Sequence, residues 1–177
     1  MTGSTINTLL VPEEFDELIH QDVGKLWWED HASIITYIQG NPTLKGMRAF
    51  SLVHCYFTEQ FPRWFGNIAS SCPILKARQY IIENMLVEEV KDPAIDAGHY
   101  ESMVDVAVAT GAHRQNVYDY RPSITQIMAT QYWDDISRTK PWLEAFAGVG
   151  GLEFTNSAKP ADRYNQTPLT SRENFAL

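Results

Sequence analysis

The sequence predicts an all-α protein, a helical bundle with short connections. Three observations predict it. Apolar residues recur at spacings of three, four and seven through most of residues 12–155, which places them on single helix faces. Prolines stand at the starts of these stretches, where a missing backbone N–H costs nothing. No stretch joins period-two alternation to a hairpin turn, so strands are not expected.

The elements follow from the punctuation. Residues 1–11 read as a loose lead-in. A first helix is expected from Pro12 to about Gln39, bent or divided at Gly24 and closed by Gly40-Asn41-Pro42. A second runs from Pro42 to about Ala69, with Asn41 as N-cap and a kink at Pro62, which lies inside the pattern. Pro73 starts a third helix that ends near Val90. Asp92-Pro93 starts a fourth that ends at Gly111, a residue suited to a left-handed C-cap. A fifth covers roughly Pro122–Ser137, and a sixth runs from Thr139-Lys140-Pro141 to about Phe154. Residues 156–177 read as irregular, with a helix start near Ser171. There Thr170-Ser171-Arg172-Glu173 fits a capping box. Only four residues follow it, too few for a stable helix, so the expectation is a last helix that continues past Leu177. With no repeat, linker or low-complexity tract, residues 1–177 read as one domain.

Composition narrows the function classes. The chain has 177 residues, 44% of them hydrophobic and 12% aromatic, which suffices for a core and argues against disorder. Its net charge is −8, and its 14 Lys and Arg residues form no stripe, which argues against nucleic-acid and anionic-membrane partners. No run has the length of a membrane span. The N-terminus lacks a basic region followed by an apolar stretch, and Cys55 and Cys72 have no metal-ligand spacing. They read as reduced thiols, and the expected location is cytoplasmic.

The chemistry lies where ionisable side chains end apolar stripes. Glu89 follows Leu75, Ile82 and Leu86; His99 opens a stripe through Met103, Val106 and Thr110; Glu153 follows Trp142, Phe146 and Val149. A carboxylate on a core-facing stripe is costly unless paired or bound to a cation. Two carboxylates and an imidazole suggest a metal taking oxygen and nitrogen ligands, such as iron, manganese or zinc. Each residue also has an ordinary reading. Glu89 can be a solvated helix end, His99 a core histidine bonded to a backbone carbonyl, and Glu153 an exposed residue after the glycines that end its helix. Glu88 continues the Ile74, Ile81, Met85 stripe as well as Glu89 continues its own, and periodicity does not separate the two. Glu59, just before Pro62, is a second-tier ligand or supporting group. His54 reads as a packing histidine, and His20, His31 and His113 as surface or helix-end residues. Trp27-Trp28, Tyr132-Trp133 and Phe61-Trp64-Phe65 read as core aromatics. Arg63, Arg114 and Arg163 are candidate partners for a substrate carboxylate.

The segment Tyr56-Phe57-Thr58-Glu59-Gln60-Phe61-Pro62-Arg63 resembles the second core helix of the heme-oxygenase-like diiron oxidases, within the wider group of thiaminase II and PqqC proteins. Glu83-Asn84-Met85-Leu86-Val87-Glu88-Glu89, followed by His99-Tyr100, resembles that family's first pair of iron ligands. Gly148–Phe154 resembles the helix that carries its next glutamate. The resemblance covers most of residues 15–175, and its motifs are short and helical. It implies that Glu89, His99 and Glu153 ligate iron, with Glu153 in a bridging position and Glu88 a neighbour. It further implies two iron ions, O2 as co-substrate, and oxidation of a small amino acid or fatty-acid-like molecule in specialised metabolism. The family's remaining ligands, an Asp and two His on a last core helix, have no match in this chain. That departure motivates a second expectation, a metal-free helical small-molecule-binding protein on the same fold. A thiaminase-type hydrolase would need an activated cysteine, and neither Cys55 nor Cys72 has the setting for one. A homodimer is compatible with either expectation.

Overall fold

The computed structural model describes residues 11–26, 43–93 and 97–153, without the side chains of Leu152 and Glu153. Eight helices and no strands are found among the described residues: α1 (Pro12–Gly24), α2 (Leu44–Thr58), α3 (Phe61–Ser71), α4 (Leu75–Glu89), α5 (His99–Ala109), α6 (Arg114–Tyr118), α7 (Ile124–Thr139) and α8 (Trp142–Glu153). The all-α expectation holds. No described helix is long and apolar enough to cross a membrane. The expected helix end at Gln39, Trp27-Trp28, His31, Arg163 and the capping box at Thr170 all lie outside the described residues.

The chain divides into two compact units, Met1–Asn41 with Leu152–Leu177, and Pro42–Gly151. In the first, Pro12 opens α1, and the Glu14 carboxylate accepts from the Val11 N–H at 3.3 Å. His20 is not a surface residue here. It is buried, with Nδ1 2.8 Å from the Asp16 carbonyl one turn earlier.

Among the described residues, the buried hydrophobic side chains lie in the second unit. In it α2 packs on α5, α3 on α4 and α7, α4 on α5, and α5 on α6. The Thr43 hydroxyl caps α2 by accepting from the Gly46 N–H at 3.1 Å. The expected single kinked helix over residues 42–69 is instead two helices separated at Glu59-Gln60. Pro62 lies in the first turn of α3, where its missing N–H leaves no helical bond unmade, so it starts a helix instead of bending one. Phe61, Trp64, Phe65 and Ile68 of α3 are buried. Phe57, Phe61 and Trp64 pack with ring centroids 5.1–5.4 Å apart. The Tyr132-Trp133 pair divides between core and solvent. Trp133 lies 6.4 Å from the Trp64 ring, whereas Tyr132 is exposed.

The helix after Pro93 starts later than the punctuation suggested. Asp92 and Ala97 form an isolated bridge, with the Asp92 N–H donating to the Ala97 carbonyl at 2.8 Å, and α5 begins only at His99. His99 therefore stands at the first position of its helix, not two turns inside it. The other end of α5 closes as its glycine predicts. Gly111 has φ +95°, and Gly111 and Ala112 donate to the Val108 and Ala107 carbonyls, completing a Schellman cap. Gly148 of α8 faces Trp133 and Ile136 of α7. A Cβ there would stand 3.6–3.7 Å from both, so part of the glycine-rich stretch lies against a neighbouring helix.

Candidate functional site

The site is built where α2 gives way to α3 and where α4 gives way to α5. The first junction supplies Glu59, the C-cap of α2, and Arg63 in the first turn of α3. The second supplies Glu88 and Glu89 from the last turn of α4, and His99 and Tyr100 from the first turn of α5. Gly98 lets these ends meet. A Cβ on it would lie 2.8 Å from the Glu88 carbonyl oxygen and 2.9 Å from the Glu89 carbonyl carbon. Glycine is needed here for space, since its own φ of −68° is ordinary.

Glu59, Glu88 and Glu89 line one cavity of about 320 Å³, together with Arg63, Thr58 and Tyr100. Burial separates the two adjacent glutamates. Glu88 is 6% exposed and Glu89 is exposed. The reason is the orientation of α4. Its inward face carries Ile81, fully buried, and Glu88 one heptad later. The stripe leading to Glu89 points outward, with Leu75, Ile82 and Leu86 each more than half exposed.

A buried carboxylate requires a partner, and Glu88 has one. His99 Nδ1 lies 2.8 Å from Glu88 Oε1, and His99 Nε2 lies 3.0 Å from Asp92 Oδ2. The hydrogen bond to Glu88 is the largest influence on His99, and with Asp92 it raises the imidazole to about 9 against the opposing effect of burial. At neutral pH His99 is therefore an imidazolium that donates from both nitrogens. His54 lies within electrostatic range of the pair and shifts the opposite way, because burial disfavours its charged form. It stacks on Phe50 at 5.3 Å, the packing role expected of it. Burial, and then the nearby Glu59 carboxylate, push the Tyr100 phenol to about 12, so Tyr100 remains a neutral hydroxyl.

Among the described residues, no three His, Cys, Asp or Glu side chains are grouped so as to hold a metal ion. The candidate ligands differ in how they suit one. Glu59 and Glu89 are hard oxygen donors with no hydrogen-bond or ion-pair partner among the described residues, and by donor type they fit iron. His99 does not fit in its present pairing. A metal needs a ring nitrogen lone pair, and both nitrogens are engaged. The Glu153 side chain lies outside the described residues.

The remaining candidates are placed as follows. Arg114 is committed to Glu101 and Asp105, and it reaches the Tyr118 hydroxyl at 3.3 Å. Arg63 lines the cavity. Cys55 is 1% exposed, and burial raises its thiol to about 11, so it supplies no thiolate nucleophile at neutral pH. Cys72 is buried, and its thiol points at the Ile74 carbonyl. Sequence reasoning did not nominate Asp92 as a partner of His99. A seven-residue separation across a turn has no periodic signature. Neither a family model nor a curated protein matches this chain.

Proposed function

We propose that this chain is a non-heme iron, O2-dependent oxidase of a small organic acid, of the heme-oxygenase-like type, acting in specialised metabolism. The observation that supports it is the meeting of Glu59, Glu88 and Glu89, from two separate helix junctions, around one cavity. Carboxylates that share one space repel one another, and a bound cation offsets that repulsion; Glu88 already has His99, which leaves Glu59 and Glu89 for it. Glu59 and Glu89 would hold iron, and bound iron would supply the activation of O2. The protein's own groups do the rest. His99 holds the Glu88 side chain in place. Tyr100 offers a neutral hydroxyl that stays protonated through the physiological range. Arg63 brings positive charge to the cavity wall.

The test is an anaerobic iron(II) titration followed by oxygen uptake with amino acids and short fatty acids. The expected result is bound iron and substrate-dependent oxygen consumption, both weakened in Glu59→Gln and Glu89→Gln. Absence of iron binding, or oxygen uptake independent of every candidate substrate, would overturn the oxidase reading.

A second reading is favoured by one observation, the engagement of both His99 nitrogens by carboxylates. On that reading the chain is a metal-free helical protein that binds a small molecule in the same cavity. Ligand binding of equal strength with and without metal would support it.

A further inference from the structure

We infer that Arg63 is the anchor for the carboxylate of the cavity's ligand, and that this ligand is a small polar acid and not a long-chain fatty acid. The inference rests on the cavity being the ligand site, which both readings above share. Three observations carry it.

The first is charge. Arg63 is the cavity's only cation among the described residues, and it has no carboxylate partner even though three glutamates line the same space. Among the described residues, its guanidinium makes one hydrogen bond, from Nη1 to the Gln60 side-chain oxygen at 3.2 Å, a neutral contact that leaves the rest of the fork open to them. Arg114, the other candidate among the described residues, is already committed to two carboxylates.

The second is an unused hydroxyl. Thr58 is 6% exposed and lines the cavity, yet no described residue hydrogen-bonds its side chain. A buried threonine in a helix ordinarily bonds a carbonyl one turn back. Thr130 does so, with its hydroxyl 3.1 Å from the Gln126 carbonyl. Thr58 instead leaves a donor and acceptor for whatever enters. It is five residues before Arg63 and directly precedes the α2–α3 junction.

The third is size and lining. About 320 Å³ is at the small end of ligand pockets, and the wall consists of charged and hydroxyl side chains with Pro62 as an apolar surface. A long alkyl chain would lie against carboxylates and displace their water without compensation.

The experiment measures binding of norleucine, glutamate, hexanoate, laurate and pentylamine by calorimetry or NMR, with and without manganese(II). It compares wild type with Arg63→Gln and Arg63→Lys, neither iron nor oxygen being needed. At least one of norleucine, glutamate and hexanoate is expected to bind. Its affinity should fall roughly tenfold or more in Arg63→Gln, with partial recovery in Arg63→Lys, as the loss of a charge-assisted contact requires. Pentylamine, which lacks the carboxylate, should be indifferent to both substitutions. Absence of binding by all three small acids, unchanged binding in Arg63→Gln, or tighter binding of laurate than of any small acid would overturn the inference. Arg63-dependent binding without any oxygen consumption would reject the oxidase reading alone. Substrate-dependent oxygen uptake with an unaltered KM in Arg63→Gln would reject this inference alone.

Discussion

Glu88 and Glu89 are neighbours of one residue type with opposite fates. Glu88 is drawn in because its side chain leaves α4 on the Ile81 face, and His99 neutralises it there. The His99 pairing has a consequence in pH. Its folded-state value of about 9 lies above the ordinary 6.5, so the stability it contributes is fully present below pH 6.5 and is lost as pH rises through about 9. His54 acts in the opposite direction. Burial lowers it from 6.5, so its contribution is present above that pH and is lost as pH falls. Denaturant unfolding between pH about 6.5 and about 9 should show declining stability, and His99→Gln should flatten that decline. A His99 imidazole that titrates near 6.5 by NMR would contradict the double pairing.

At the scale of elements, α2 meets α5 through the buried cluster of Cys55, Val104 and Ala107, and one long side chain adds a polar link at the end of α5. Arg48 donates from Nε and Nη2 to the Thr110 carbonyl at 2.9 and 2.7 Å, satisfying a helix-end acceptor that the chain leaves open. The guanidinium also occupies the space that a side chain at Gly111 would need. The positive charge suits the negative end of α5. Arg48→Gln should destabilise the protein by about 1–3 kcal/mol, the usual loss for hydrogen bonds to a charged group, measured as a lower urea midpoint with an unchanged slope. A midpoint equal to wild type would mean that water replaces the arginine at no cost. Links of the same kind tie α7 to its neighbours, through Tyr56 with Thr130 at 3.1 Å and Asn67 with Ser137 at 3.0 Å.

At the scale of the whole described molecule, α3 carries the largest buried rings of the unit Pro42–Gly151, beside the cluster of Cys55, Val104, Ala107 and Val117. Trp64 is 1% exposed and touches the rings of Phe57, Phe61 and Trp133, so it joins α2, α3 and α7. Trp64→Ala should cost about 3–5 kcal/mol through lost burial and a residual cavity. Against a typical total of about 5–15 kcal/mol, that loss lowers the thermal midpoint substantially or leaves the chain partly unfolded at room temperature. Circular dichroism on heating checks it. A melt within a few degrees of wild type would show that the core does not depend on this ring.

The helical class, most helix positions and the glycine cap at Gly111 were legible in the sequence, because each depends on residues within a turn or two of one another. The general locality of the candidate site was legible too, since Glu59, Glu88, Glu89 and His99 were all singled out. The choice among them was not. Adjacent helix positions differ by about 100°, and α4 carries an apolar stripe on each side, one through Ile81 and one through Ile82, so either face could have been buried. Packing of α3 and α5 against α4 turned the Ile81 face inward, took Glu88 with it and left Leu75, Ile82 and Leu86 outside. The late start of α5 likewise came from outside the local code. The Asp92–Ala97 bridge and the tight approach of Gly98 to the end of α4 placed His99 between two carboxylates. The sequence by itself determined that this protein is helical and which ionisable residues fall on or beside its apolar stripes. Only the tertiary structure decided which glutamate is buried, what His99 binds and which arginine faces the cavity, because those are outcomes of contact between helices and not of periodicity along one.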